Sequence, residues 1–147
     1  MTLKVRKAQA YITQGTRLLV FTQPQYPEAG TQVPSGTVEA GETPAQAVIR
    51  EAHEETGLSA FTLGLFLGEY ERDMCDFDKD EIHHRFVYHL YTTDDVPETW
   101  DHVELFASSD PKTRPIFRFK WVNLTDGLPD LIADHGKLLP KLIEQLP

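Results

Sequence analysis

Seven residues able to do or support chemistry fall at fixed offsets in one short stretch, GTVEAGETPAQAVIREAHEETGL at residues 36–58. Gly36 is followed by Glu42, Arg50, Glu51, Glu54, Glu55 and Gly57. At average residue frequencies such a spacing arises by chance in about one unrelated chain in a million. Glu51, Glu54 and Glu55 are crowded together directly after a glycine-bearing loop. Oxygen ligands at this density suit Mg²⁺ or Mn²⁺, and a divalent cation so held is suited to chemistry on phosphates.

The element that positions them reads as a helix over 44–56. Thr43 is a good N-cap, Pro44 suits the first helical position and Gly57 suits the C-terminal cap. At 3.6 residues per turn, Ala45, Val48, Ile49 and Ala52 form an apolar stripe. Glu51, Glu54 and Glu55 share a separate arc of about 100°, with small Ala47 among them. Like charges one turn apart cost a few tenths of a kcal/mol per pair on an exposed helix, and a bound cation reverses that sign. Glu55 borders the apolar stripe, so it is expected to be the least solvated and most constrained ligand, with Glu51 sharing its metal. Arg50 lies on the other flank and is expected to orient a carboxylate, Glu42 above all. Gly36 lets the loop backbone approach the metal closely. A charge run is ordinarily a solvated helix face; the fixed glycines, Glu42 and Arg50 weigh against that here.

This stretch resembles the signature of the Nudix hydrolases, which cleave a nucleoside diphosphate linked to another group. Every charged and glycine position matches. Ala52 stands where the family usually has a larger aliphatic residue, and Ser35 where a glycine is common. Phe-Lys-Trp-Val at 119–122 is similar to the family's late strand. The resemblance implies an α+β fold, an α/β/α sandwich around a mixed β-sheet, with the motif forming a loop–helix–loop at its edge. It implies Mg²⁺ held by Glu51, Glu54, Glu55 and the Gly36 carbonyl, with water attacking a phosphorus of a diphosphate. Catalysis would then rest on Glu51, Glu54 and Arg50, with Glu42 in support. Glu51 or Glu54 is the candidate general base; family members differ in where that base sits, so Glu81 and Glu104 compete. Two other functions are open: a nucleotide-binding regulatory module, which would be expected to have lost motif carboxylates, and a hydrolase of RNA 5′ ends.

Composition narrows the partners. The 147 residues fit one domain with a real core. Lys and Arg total 14 against 23 Asp and Glu, a net charge of −9, which disfavours a broad duplex nucleic-acid face but admits a small polyanion offset by metal. Cys75 is the sole cysteine, which rules out an internal disulfide and suits a reducing compartment. Apolar runs are too short to cross a bilayer and the first residues lack a signal-peptide core, so a cytoplasmic protein free of membranes is expected. A homodimer is compatible with all of this.

The remaining elements must hold the helix and shape a pocket. Strands are expected at 7–13 and 17–22 around a Gln14-Gly15 turn, at 32–33 entering the glycine loop, and at 61–71, 83–92 and 116–124. Short helical pieces are expected at 129–134 and 138–146. Residues 73–81 read as an exposed acidic connection. Residues 94–115 read as a long polar connection, a candidate lid over the substrate. Alternation sends His83 and His84 to opposite faces and puts His83, Arg85 and Val87 on one, a face expected to line the pocket. Tyr26, Arg85, Trp100 and Glu104 are the substrate-binding candidates; Tyr26 and Trp100, like Phe77, are read as loop aromatics able to stack on a base. Trp121 is expected in the core.

Overall fold

A computed structural model describes residues 1–103 and 114–147. Strand β1 (Leu3–Gln14) runs through the middle of the sheet. It pairs in parallel along its length with β5 (Glu81–Tyr91). Its other edge is shared by β2 (Arg17–Thr22), reached through a tight turn with Gly15 at φ 62°, and β3 (Ser35–Thr37). Outward from these lie β4 (Thr62–Asp73) on β5, β7 (Ile116–Asn123) on β2 and β6 (Thr99–Val103) on β7. The sheet is therefore mixed, since among the described residues only the β1–β5 pairing is parallel.

Alternation along β1 sorts the core into two layers. Ala8, Ala10 and Ile12 point to one face, where Leu19, Phe21, Leu90 and Phe119 meet Ala47, Val48 and Ala52 of helix α1 (Pro44–Thr56). Tyr11 faces the other way and joins Leu18, Val20, Val33 and Val87 against Leu139 and Leu142 of the short helix α2 (Leu139–Ile143). The result is the expected α/β/α sandwich of α+β class. Strands hydrophobic on both faces follow from being covered on both.

Helix α1 has the bounds its caps dictate. Thr43 Oγ1 accepts from Gln46 N, and the Gln46 side chain accepts from Thr43 N, a reciprocal box that satisfies two N-terminal donors. Gly57 closes the other end at φ 76°, a conformation that glycine adopts without a Cβ penalty.

Three expectations are corrected. Ala45 is only half-buried, whereas Ala47 is fully buried, and the covered face runs through Ala47, Val48, Glu51, Ala52, Glu55 and Thr56. A helical wheel gives the period of a pattern; here β1 and β3 cover the side that carries the glutamates and so shift its phase. The strand expected at 32–33 lies instead at Ser35–Thr37, with Gln32 making an isolated bridge to Phe21. The connection at 94–115 contains strand β6, which pairs with β7. Residues 104–113, and with them Glu104 and the middle of the expected lid, lie outside the described residues.

Candidate active site

One wall of the site is acidic and belongs to α1. Glu51 is 9% exposed and Glu55 6%, so Glu55 is the more enclosed of the two. Both are pressed against β3. Ser35 N donates to Glu55 Oε2 at 2.8 Å. A Cβ on Gly36 would stand 1.9 Å from the Glu51 carboxylate carbon, so only glycine lets that carboxylate sit where it does. Arg50 binds Glu42 through two bonds, Nε to Oε2 at 2.7 Å and Nη2 to Oε1 at 2.9 Å. Its Nη1 also reaches Glu51 at 2.7 Å and Glu54 at 3.1 Å, and Nη2 donates to Thr37 O at 2.9 Å. The paired guanidinium, helped by the Glu39 backbone N–H, holds the Glu42 carboxyl down at about 2.

Arg50 thus balances much of the negative charge on this wall. Among the described residues no three acidic or imidazole side chains stand together as a ready-made metal cage, and the guanidinium between Glu51 and Glu54 is a clear reason. The donor chemistry still fits a hard divalent ion. Carboxylates converge on a backbone stretch cleared of side chain at Gly36, and oxygen is what such an ion prefers.

Tilting across β3, the chemistry changes sign. In this three-residue strand Gly36 faces the glutamates, while Ser35 opens on a pocket of about 380 Å³. Its floor is the α2 face of the sheet: Lys7 from β1 and His83 and Arg85 from β5. The turn between β4 and β5 adds Met74, Phe77 and Lys79, and the far wall is Ile132, Ala133 and His135. Burial lowers His83 and His135 below the usual imidazole range, His135 to about 3, so His135 is neutral at physiological pH.

The far wall is a strap held by its carbonyls. Gln9 Nε2 and Tyr11 Oη donate to His135 O at 2.9 and 2.5 Å, and Tyr70 Oη donates to Asp134 O at 2.7 Å. Arg85 Nη1 donates to Ala133 O and, at 3.1 Å, to Tyr70 Oη. Val33 N donates to His135 Nδ1 at 3.2 Å. Ala133 and Asp134 both have positive φ, 54° and 60°, which costs an L-residue backbone energy that this grip must offset.

The expected site residues divide accordingly. Gly36, Glu42, Arg50, Glu51, Glu54 and Glu55 come together. Arg85 and His83 line the pocket from one strand face, with His84 turned the other way and half-buried. Tyr26 is 39% exposed beside the pocket-lining loop but is not part of the lining. Trp100 is corrected: it lies in β6, stacks on Phe119 at 5.0 Å and donates its indole N–H to Thr56 O at 2.8 Å. With His102 Nε2 donating to Glu54 O at 2.9 Å, it satisfies carbonyls left open at the end of α1. Trp121 is half-buried, with Arg17 over its ring, rather than central to the core. Glu81 is bonded to His83 at 2.9 Å. Lys7, Lys79 and His135 were not anticipated. Lys7 alone had a signal, the polar parity of β1, where Lys7, Gln9, Tyr11 and Thr13 share a face that both layers should have made apolar.

Loop–helix motif, mixed sandwich and adjoining pocket define a class. The NUDIX domain description matches residues 4–142, and the chain belongs to that family. Human diphosphoinositol polyphosphate phosphohydrolase 2 is 33% identical over 88 residues, 60% of this chain and 44% of that protein. The bovine diphosphoinositol polyphosphate phosphohydrolase 3-beta is 33% identical over 84 residues, 57% and 46% of the two chains. The match therefore spans less than half the length of these curated relatives. Among solved structures, the E. coli dihydroneopterin triphosphate pyrophosphohydrolase superposes with a TM-score of 0.67 at 17% identity, covering 97% of this chain and 99% of that one. The MutT protein from Methanosarcina mazei Go1 gives 0.66 at 18%, covering 98% and 96%. At these identities the likeness is one of fold. Among the described residues no helix is long and apolar enough to cross a membrane.

Proposed function

We propose that the chain is a Mg²⁺-dependent pyrophosphohydrolase that cleaves the diphosphate linkage of a small nucleoside diphosphate derivative in the cytoplasm. The observation that carries this reading is Glu51 packed against Gly36 and Glu55 bonded to Ser35 N, with Glu54 joined to Glu51 through Arg50, beside a pocket floored by basic side chains. Glu51, Glu54, Glu55 and the Gly36 carbonyl would hold the metal. Bound there, Mg²⁺ (or Mn²⁺) would supply polarised phosphoryl oxygens and an acidified water. Glu54, whose side chain is more exposed than that of Glu51, or Glu51 itself would take the proton of the attacking water. Arg50 aligns Glu51 and Glu54 from the side, and Glu42 fixes Arg50.

A second reading, hydrolysis of a diphosphate carried on a phosphate-rich group that is not a nucleotide, is favoured by the basic pocket lining and by the names of the 33% relatives. A panel separates the two: ADP-ribose, nucleoside diphosphate sugars, dinucleoside polyphosphates and a diphosphoinositol polyphosphate, each assayed for Mg²⁺-dependent release of product. Activity is expected to vanish in excess chelator, and Mg²⁺ is expected to raise the unfolding temperature by binding the folded state. Full turnover in chelator would sink the mechanism.

A further inference from the structure

Lys7 sits where the two walls of the site meet. Its register partner in β3 is Thr37, the residue after Gly36, and its Nζ donates to Thr37 Oγ1 at 3.0 Å. Glu51 and Glu55 lie within its electrostatic reach beyond β3, and Lys79 and Glu81 on the pocket side. Glu81 is already bonded to His83. An ammonium carries three donors, of which Thr37 takes one. Lys79, on the exposed β4–β5 turn, lines the same pocket. Arg85 lines it too, but three of its five donors are committed to Ala133 O, Tyr70 Oη and Met74 Sδ. Two ammonium groups facing one cavity raise its potential locally and favour an anionic guest, in a chain whose net charge is −9.

We propose that Lys7, with Lys79 as its partner, forms a phosphate clamp on the pocket side of β3, so that the substrate's diphosphate straddles that strand. The clamp rests on the diphosphate-hydrolase reading. One phosphate faces the glutamates and the other faces the two lysines. As the water oxygen bonds to the first phosphorus, the P–O bridge breaks. The bridging oxygen keeps the electron pair on the pocket-side phosphate, and a carboxylate takes the water's proton. The charge growing on the departing phosphate then meets Lys7, where a fixed cation is worth most. Lys7 is thereby a substrate-contacting residue that lies outside the 36–58 motif.

The test is calorimetric titration of the full chain with inorganic pyrophosphate, in chelator and in Mg²⁺. Lys7→Gln is expected to weaken binding about tenfold or more in both, Lys79→Gln by a few-fold, and Lys7→Arg much less. Thr37→Val should keep pyrophosphate affinity, because in the clamp Thr37 only seats the lysine. On the substrate the panel selects, Lys7→Gln should lower kcat as well as raise KM. Wild-type protein that binds no pyrophosphate in either buffer would overturn the clamp. So would a folded Lys7→Gln protein within about twofold of wild type, or a Thr37→Val protein that reproduces the whole Lys7→Gln loss, since Lys7 would then merely pin β3 to β1. If Lys7→Gln fails to fold, the exposed Lys79→Gln variant decides, and unchanged affinity there overturns the pairing. Hydrolysis of no diphosphate, together with lysine-dependent pyrophosphate binding, would remove the proposed function and leave the clamp standing.

Discussion

Two arginines face each other across the sheet and are held on different terms. Arg50, on α1, is bound by carboxylates: Glu42 with two bonds, then Glu51 and Glu54. Arg85, on β5, is bound by neutral groups: a carbonyl of the strap, a tyrosine hydroxyl and a thioether. Arg50 keeps 24% of its side chain in solvent, while Arg85 as a residue is 2% exposed. The first therefore tunes the charge of its wall, and the second fastens the strap to the sheet. A charge held by countercharges can be rearranged by a cation or substrate. One held by backbone carbonyls cannot, because those carbonyls would lose a buried donor.

The largest expected effects lie on the Arg50 wall and in turnover. Glu51→Gln and Glu55→Gln should each lower kcat by about 10²-fold or more, roughly 3 kcal/mol of transition-state stabilisation, with Glu42→Gln milder. Gly36→Ala should match them, because the new Cβ displaces the flexible end of Glu51 rather than backbone. Its unfolding temperature should stay close to wild type. Measured kcat at saturating Mg²⁺, with folding checked by circular dichroism, reads all four. A silent Glu55→Gln beside a crippling Glu42→Gln would reverse the ranking.

Next comes stability. Arg85→Leu leaves the partly buried Ala133 carbonyl without its donor and should cost about 1–3 kcal/mol in urea unfolding. Arg50→Leu should cost less and act mainly on turnover; the opposite order would break the distinction drawn above. Ala52→Leu overpacks a fully buried helix position and should cost about 1–3 kcal/mol while leaving metal dependence intact. Metal binding abolished in a folded Ala52→Leu protein would show that residue 52 does not serve packing alone.

The smallest effect is one of pH. The folded-state pKa of Glu42 is depressed from 4.5 to about 2. Its stabilising contribution is therefore fully present above the unfolded value and is lost as pH falls from there through about 2. Glu42→Gln should flatten the stability profile of the protein across that acid window, and a profile identical to wild type would show the Arg50 pair to be energetically idle.

The acidic wall was legible in the sequence because its parts are local. Helical spacing alone sets Glu51, Glu54 and Glu55 on one side of α1, and Thr43 and Gly57 carry their capping chemistry in their own side chains or lack of one. The phase of α1 was not legible, since what covers this side of the helix is the sheet at β1 and β3, and the place of β3 depends on pairing with β1. Strand β6 was hidden in polar residues, because Trp100 and His102 are spent on the carbonyls of α1 rather than on an alternating core face. The pocket wall was least visible of all. Lys7, Arg85 and His135 lie on three separate segments, and only the parallel β1–β5 pairing and the strap unite them. The pairing of His83 with Arg85 on one face was the single part of it that strand alternation could foretell.

The strap also bears on the order in which the molecule assembles. Gln9 and Tyr11 reach their partner His135 over 126 and 124 positions of chain, and closing so long a loop carries an entropic cost that must be met before its contacts return anything. Helix α1, with its own caps, can form early and locally. The strap, with two residues in left-handed geometry, has little reason to settle until β1, β4 and β5 already offer their donors. The glutamates would then be in place before the pocket closes, so a kinetic experiment following refolding should see helical structure precede the capacity to bind an anion.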